Sequence, residues 1–147
     1  MVFEIRISRE RDYQFKVDFE LENVPSLIVD EDPPLGEGFG PDPSRLLGAA
    51  IAHCLTSSFL FCMQKSRANV GEVNTIVRIE FGRNEKKRLR ISGIDVTIHA
   101  EVSEEDRSKL ERCLPLFREF CTVSESVRNG VPIRVEIATD DSTIQSV

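Results

Sequence analysis

Four side chains in this sequence carry a thiol: Cys54, Cys62, Cys113 and Cys121. A thiol can act as nucleophile, disulfide partner or zinc ligand, and spacing separates these options. No two of the four stand in a CxxC arrangement, so zinc lacks a locally spaced ligand pair and no metal site is expected. Four cysteines in a chain of 147 residues do not make a disulfide framework. In a reducing compartment a disulfide between any of them is expected to be transient and catalytic. The two histidines do little to activate a thiol. His53 adjoins Cys54 in the chain, but on a helix it points ~100° away from it. His99 falls on the polar side of an alternating strand and reads as a solvated residue.

The element that must position Cys54 is Asp42–Lys65. Asp42 followed by Pro43 is a helix start, a capping carboxylate and then a proline with no amide hydrogen to satisfy. No charge lies between Arg45 and Lys65, and the residues are apolar or small nearly all round. That pattern predicts a buried central helix. It has the length of a membrane span, but His53, Thr56, Ser57 and Ser58 in its middle argue against one.

Before this helix, residues 2–8 alternate with Phe3, Ile5 and Ile7 on one side, and Phe15, Val17, Phe19 and Leu21 alternate again after a polar turn at Arg9–Asp12. These predict a hairpin, with a short third strand at Leu27–Val29. Asp30–Pro41 holds three glycines and three prolines, which predicts an irregular loop. After the helix, Val73–Phe81 and Arg88–Glu101 read as two long strands joined by the basic turn Arg83–Arg88. Ser103–Asp106 has the form of a capping box. Leu110, Cys113, Leu114 and Phe117 follow at helical spacing, which makes Cys113 a core position, and Pro115 should split that helix. Cys62 and Cys113 carry no motif and are expected to be inert core residues. Cys121 opens a short segment that stops at Asn129-Gly130, ahead of a last strand at Val131–Ala138. Residues 140–147 read as a frayed tail of a single domain covering 1–147.

With 40% hydrophobic and 30% charged residues and a net charge of −6, the chain reads as soluble and globular, without the basic face that nucleic acid or a membrane surface would require. No apolar secretory segment opens it, so the cytoplasm is the expected location.

The stretch Gly40-Pro-Asp-Pro-Ser-Arg-Leu-Leu-Gly-Ala-Ala-Ile-Ala-His-Cys54 resembles the OsmC/Ohr family of thiol peroxidases, whose long helix carries a Pro-x-x-Leu-Leu-x-Ala-Ala-x-x-x-Cys pattern. The family's second signature, Cys-Pro-Val-Ser before a short strand, resembles Cys121-Thr-Val-Ser124. The resemblance implies an α+β, OsmC-like fold: small antiparallel sheets around the long central helix, in an intertwined homodimer whose central helices pack back to back. It also implies that Cys54 attacks a hydroperoxide and that Cys121 resolves the resulting sulfenic acid. No cofactor is implied, but an external dithiol reductant is.

The family activates its cysteine with an arginine held by a glutamate found nine or ten positions before the cysteine; here those positions are Arg45 and Ser44. Arg11 is the closest positional match for the arginine, with Arg45 as its alternative. Phe39, Phe59 and Phe61 are the expected apolar walls of a pocket for an organic or fatty-acid hydroperoxide. The other reading is a non-peroxidatic member of the family that binds a small apolar ligand or senses oxidation.

Overall fold

A computed structural model describes residues 1–139 and 143–146. The elements in chain order are β1 (Arg6–Arg11), β2 (Gln14–Asp18), β3 (Leu27–Val29), α1 (Pro43–Lys65), β4 (Val70–Arg83), β5 (Leu89–Val102), α2 (Arg107–Cys113), α3 (Thr122–Arg128), β6 (Val135–Ala138) and β7 (Thr143–Ser146). Short 3-10 turns precede α2 and α3, at Glu104–Asp106 and Phe117–Phe120. The strands form a three-stranded sheet β1-β2-β3, a β4-β5 pair and a β6-β7 pair. The result is the α+β architecture expected, strands first, then a long helix, two long strands, short helices and a final strand pair.

The chain divides into two compact units, Met1–His53 with Glu72–Ala100, and Cys54–Gly71 with Glu101–Val147. The division falls inside α1, β4 and β5 rather than in a linker.

In the first unit, β1 and β2 pair antiparallel from Arg6↔Asp18 to Arg11↔Gln14, and β3 adds to β2 through Phe15↔Val29 and Val17↔Leu27. Strand β1 begins at Arg6, four residues later than the alternation suggested, and Phe3, Ile5 and Ile7 are exposed rather than half-buried. Alternation marks a strand's two faces, and in this single chain neither face of β1 is covered. The 30–41 loop is organised by Asp30. Its carboxylate accepts from the amides of Glu31 (2.8 Å), Glu37 (3.2 Å) and Phe39 (3.2 Å), and its own amide donates to the Pro41 carbonyl at 3.4 Å. Burial works to raise the Asp30 carboxyl, but those amides outweigh it and hold it below the usual carboxylate range.

Helix α1 starts as its sequence requires, with Asp42 Oδ1 accepting from the Arg45 amide at 3.2 Å. Gly48 is buried where a β-carbon would lie 2.9 Å from Ile79 Cδ1 and 3.4 Å from Val77 Cγ1, so the helix sits close on the inward side chains of β4. In β5 the expected alternation is present: Ile94, Val96, Ile98 and Ala100 are half-buried, while Asp95, Thr97, His99 and Glu101 are exposed. The central helix is not buried all round. Ala49, Ala50, His53, Ser57, Leu60, Phe61 and Gln64 line an exposed stripe, because one chain supplies packing to part of its circumference only. By length and composition alone α1 could cross a membrane.

In the second unit the expected capping box does not form. Ser103 makes no side-chain cap bond. Asp106 is buried instead, accepting from the Asn69 amide at 2.8 Å and pairing with Lys109, whose ammonium also donates to the Arg67 carbonyl at 3.0 Å. The Lys109 hydrogen bond, with the Asn69 amide, holds the Asp106 carboxyl below the usual range. Helix α2 ends at Cys113, two residues before Pro115, and α3 stops at Asn129 and Gly130, the latter at φ 71°. The expected last strand is shorter, Val135–Ala138, and the expected frayed tail is in part a strand: β7 pairs antiparallel with β6 from Val135↔Ser146 to Ala138↔Thr143. The remaining tail positions, 140–142 and 147, lie outside the described residues.

Gly40 gives a direct test of the loop-to-helix junction. A β-carbon there would lie 2.3 Å from the Ile28 carbonyl oxygen and 2.9 Å from Val29 Cα, both backbone atoms of β3. Gly40→Ala is expected to destabilise the chain by about 1–3 kcal/mol, as overpacking against an unyielding neighbour does, read as a lowered denaturant midpoint at unchanged m-value.

Candidate functional site

Two elements of the second unit bring sulfur atoms together. Cys54 stands at the middle of α1, and Cys121 is the N-cap residue of α3. The sequence Cys121-Thr-Val-Ser124 folds this way because a residue in extended conformation (φ −81°, ψ 97°) ahead of a helix can turn its side chain onto the free amides of the first turn. Cys121 Sγ accepts from the Ser124 amide at 3.4 Å. The Cys54 thiol in turn shares a hydrogen bond with the Cys121 sulfur. Cys121 is fully buried, whereas Cys54 is partly exposed.

The two thiols are pushed in opposite directions. At Cys54, burial raises the thiol's pKa, and the hydrogen bond to Cys121 raises it further; the Val123 and Ser124 amides oppose this only in part. At Cys121, burial also works upward but is outweighed by hydrogen bonds from Cys54, from the Ser124 hydroxyl, and from the Ser124 and Val123 amides. When the pair holds a single proton, these opposite shifts place it on Cys54 and the negative charge on Cys121. Such a pair titrates in two steps that belong to both groups.

The other two cysteines are not inert core thiols. Cys62 and Cys113 form a disulfide, with Cα atoms 5.9 Å apart and a sequence separation of 51. Helical spacing identified Cys113 as buried, which it is, but spacing carries no information on what lies against it. Between the two cysteine pairs, Phe59 is buried edge-on to Phe117, ring centroids 5.9 Å apart, and the half-exposed Phe61 meets Phe120 at 6.5 Å. Lys65 lies 5.2 Å above the Phe61 ring.

Phe39 and the two candidate arginines belong to the first unit. Arg11 donates from Nη2 to Glu37 at 3.0 Å and from Nε to Gln14 at 3.2 Å, and it lies 5.4 Å over the Phe39 ring. Arg45 donates from Nη1 to Asp32 and to Asp42, 2.7 Å each, and these bonds raise its pKa further. Sequence reasoning missed Glu37, which sits in the irregular loop and shows no helical register with Cys54. Ser124 reads in the sequence only as part of the Cys121-Thr-Val-Ser124 signature and not as a partner of the Cys121 sulfur. Among the described residues, no group of three or more His, Cys, Asp or Glu side chains is arranged to hold a metal ion.

A long helix carrying one cysteine and a short helix whose N-cap is a second thus bring two free thiols together. The family model described as OsmC-like protein matches residues 36–136, and the chain belongs to that family. No curated protein matches it. Among solved structures, it is similar to an OsmC-like protein of unknown function from Vibrio cholerae O1 biovar eltor, with TM-score 0.70 and 17% identity over 86% of this chain and 93% of that one. It is also similar to an OsmC-like protein from Mycoplasma pneumoniae, with TM-score 0.69 and 14% identity over 89% of each chain. A third likeness is to a Legionella pneumophila protein named organic hydroperoxide resistance protein OsmC, with TM-score 0.60 and 18% identity over 87% of this chain and 90% of that one. At these identities the likenesses define the fold.

The charge distribution predicts the titration of the reduced pair. With Cys62 and Cys113 both replaced by alanine, thiolate absorbance should rise in two steps on either side of the ordinary thiol value of about 8.5. The lower step belongs mainly to Cys121. Cys54→Ala, which removes a donor to Cys121, should move that step upward. Cys121→Ala should leave a single step for Cys54, lower than its step in the pair, since a neighbouring negative charge has gone. A single unshifted transition for both thiols would contradict the shared proton.

Proposed function

We propose that this OsmC-family chain is a cysteine-based peroxidase that reduces organic or fatty-acid hydroperoxides, with Cys54 as the attacking sulfur and Cys121 as the resolving one. The observation that carries the reading is the hydrogen-bonded Cys54–Cys121 thiol pair, in which Cys54 is the more exposed residue. A hydroperoxide can reach Cys54, and the Cys121 thiolate is in place to take its proton. The Cys54 thiolate then attacks the terminal peroxide oxygen. The O–O bond breaks, the alcohol leaves with a proton from water, and Cys54 becomes a sulfenic acid. Cys121 gives up its proton and attacks the Cys54 sulfur, water departs, and a disulfide remains. An external dithiol returns both sulfurs to thiols and is itself oxidised to a disulfide.

The resemblance calls for an arginine held by a glutamate, and Arg11 with Glu37 has that form, whereas Arg45 is engaged by two aspartates. The proposal therefore gives the cationic role to Arg11 and not to Arg45. The apolar members of the exposed α1 stripe, Ala49, Ala50, Leu60 and Phe61, support a homodimer formed through this helix. The reading is of one domain over 1–147 working in the cytoplasm, with the hydroperoxide and a dithiol reductant as its partners, and neither nucleic acid nor membrane among them.

One equivalent of an organic hydroperoxide added to the reduced protein should give the Cys54–Cys121 disulfide, located by peptide mass mapping. Cys121→Ser should accumulate a Cys54 sulfenic acid that a dimedone-type reagent traps. Arg11→Ala and Glu37→Gln should slow Cys54 oxidation at least tenfold, while Arg45→Ala should not. A Cys54 that remains a free thiol in large hydroperoxide excess would overturn the reading in favour of ligand binding.

Sedimentation at low micromolar concentration should give about twice the chain mass of 16.6 kDa. A folded monomer at that concentration would remove the dimer from the proposal.

A further inference from the structure

The Cys62–Cys113 disulfide stands apart from the thiol pair and has features of its own. Cys54 and Cys62 stand eight positions apart on α1, and Cys113 and Cys121 are likewise eight positions apart. The two pairings, Cys54 with Cys121 and Cys62 with Cys113, run in opposite chain directions, with Phe59 on Phe117 between them. The chain from Cys113 to Cys121 is therefore an arm laid antiparallel along the second half of α1, bonded covalently at one end and meeting a thiol at the other.

The disulfide is also asymmetric. Cys113 is fully buried, while Cys62 is partly exposed, so Cys62 is the end of the bond nearer to a reductant's thiolate. Attack there makes Cys113 the leaving group. Ser66 Oγ lies 3.7 Å from Cys113 Sγ, and since a disulfide sulfur has no hydrogen, the hydroxyl is the donor. A donor aimed at the departing sulfur stabilises its thiolate and speeds exchange.

We infer that Cys62–Cys113 is a second redox-active site, a reversible tether that holds the Cys121 arm on α1 and so favours closure of the Cys54–Cys121 disulfide. Its opening is a balanced exchange. A dithiol's thiolate bonds to Cys62 and the S–S bond breaks. Cys113 leaves as a thiolate and takes up a proton. The reductant's second thiol then displaces Cys62, leaving two protein thiols and an oxidised dithiol. With the tether open, the chain between Cys54 and Cys121 is 67 residues; with it closed, the shortest route is the two eight-residue arms through the Cys62–Cys113 bond. For a fully flexible chain that shortening is worth roughly a tenfold larger closure constant, which is the upper bound on what the tether adds at the Cys54–Cys121 bond, since α1 already holds part of the route rigid. The inference rests on Cys54 and Cys121 being a redox pair, but not on hydroperoxide being the oxidant.

The test uses the full chain in graded redox buffers of glutathione and dithiothreitol, without hydroperoxide, with both disulfides quantified by differential alkylation and mass spectrometry. The native protein should open and reclose Cys62–Cys113 without denaturant. Cys62→Ala/Cys113→Ala should lower the Cys54–Cys121 disulfide constant by up to about tenfold, or ~30 mV for a two-electron couple. Ser66→Ala should slow opening of Cys62–Cys113 at least threefold while leaving the Cys54–Cys121 reduction rate unchanged, and it keeps the idea testable if the double variant does not fold. A Cys62–Cys113 bond that yields only in denaturant would overturn the redox site. An unchanged Cys54–Cys121 constant in the double variant would overturn the tether. Equal opening rates with and without the Ser66 hydroxyl would overturn the leaving-group role. Because no hydroperoxide enters, the same measurements decide for or against the tether even in a chain that ignores hydroperoxides.

Discussion

The second unit depends on where one short helix begins. The free amides at the start of α3 need acceptors, and the residue placed to supply one is Cys121. Meeting that need brings a buried sulfur against the Cys54 thiol and biases it toward the charged form. Burial alone would have kept both thiols neutral and unreactive. The amides, the Ser124 hydroxyl and the hydrogen bond from Cys54 offset the desolvation at Cys121, while that same hydrogen bond holds the proton more firmly on Cys54.

A polar group with no apolar alternative also governs the segments around these sites. Asp30 gathers three amides of the loop before α1, and Asp106 ties the turn after α1 to the start of α2 through Asn69, Lys109 and Arg67. Each is buried and each is fully partnered, and buried side-chain polar atoms without a partner are absent among the described residues. A half-satisfied carboxylate in either place would cost more than the loop gains by being ordered.

Much of this was legible in the sequence where local rules govern. Asp42-Pro43 and the unbroken run to Lys65 located α1 to within a residue, Leu27–Val29 was bounded by its neighbours, and strict alternation in β5 placed His99 toward solvent. The two cysteine motifs singled out the thiols that meet. Other features depended on tertiary placement. The Cys62–Cys113 bond joins residues that show no shared pattern, and Glu37 finds Arg11 through an irregular loop with no period to read. Ser103 has the composition of a capping box but makes no cap bond; the carboxylate that matters there is Asp106, which is buried and binds the Asn69 amide and Lys109. The exposure of Phe3, Ile5 and Ile7 could not be read either, since alternation states which residues share a face and not what covers it.

The equal eight-residue spacings have a consequence for how the chain matures. Four cysteines admit three pairings. One of the two wrong ones joins Cys54 to Cys62, which α1 holds ~12 Å apart along its axis, well beyond the ~7 Å between α-carbons that a disulfide tolerates. The other joins Cys54 to Cys113 and Cys62 to Cys121, which demands that the arm be laid down in the opposite direction. A chain whose central helix forms before its thiols oxidise thus sorts its own isomers. The helix acts as a ruler that rejects one alternative by length, and the arm's polarity rejects the other, so the geometry of α1 and its arm selects Cys62–Cys113 among the three pairings.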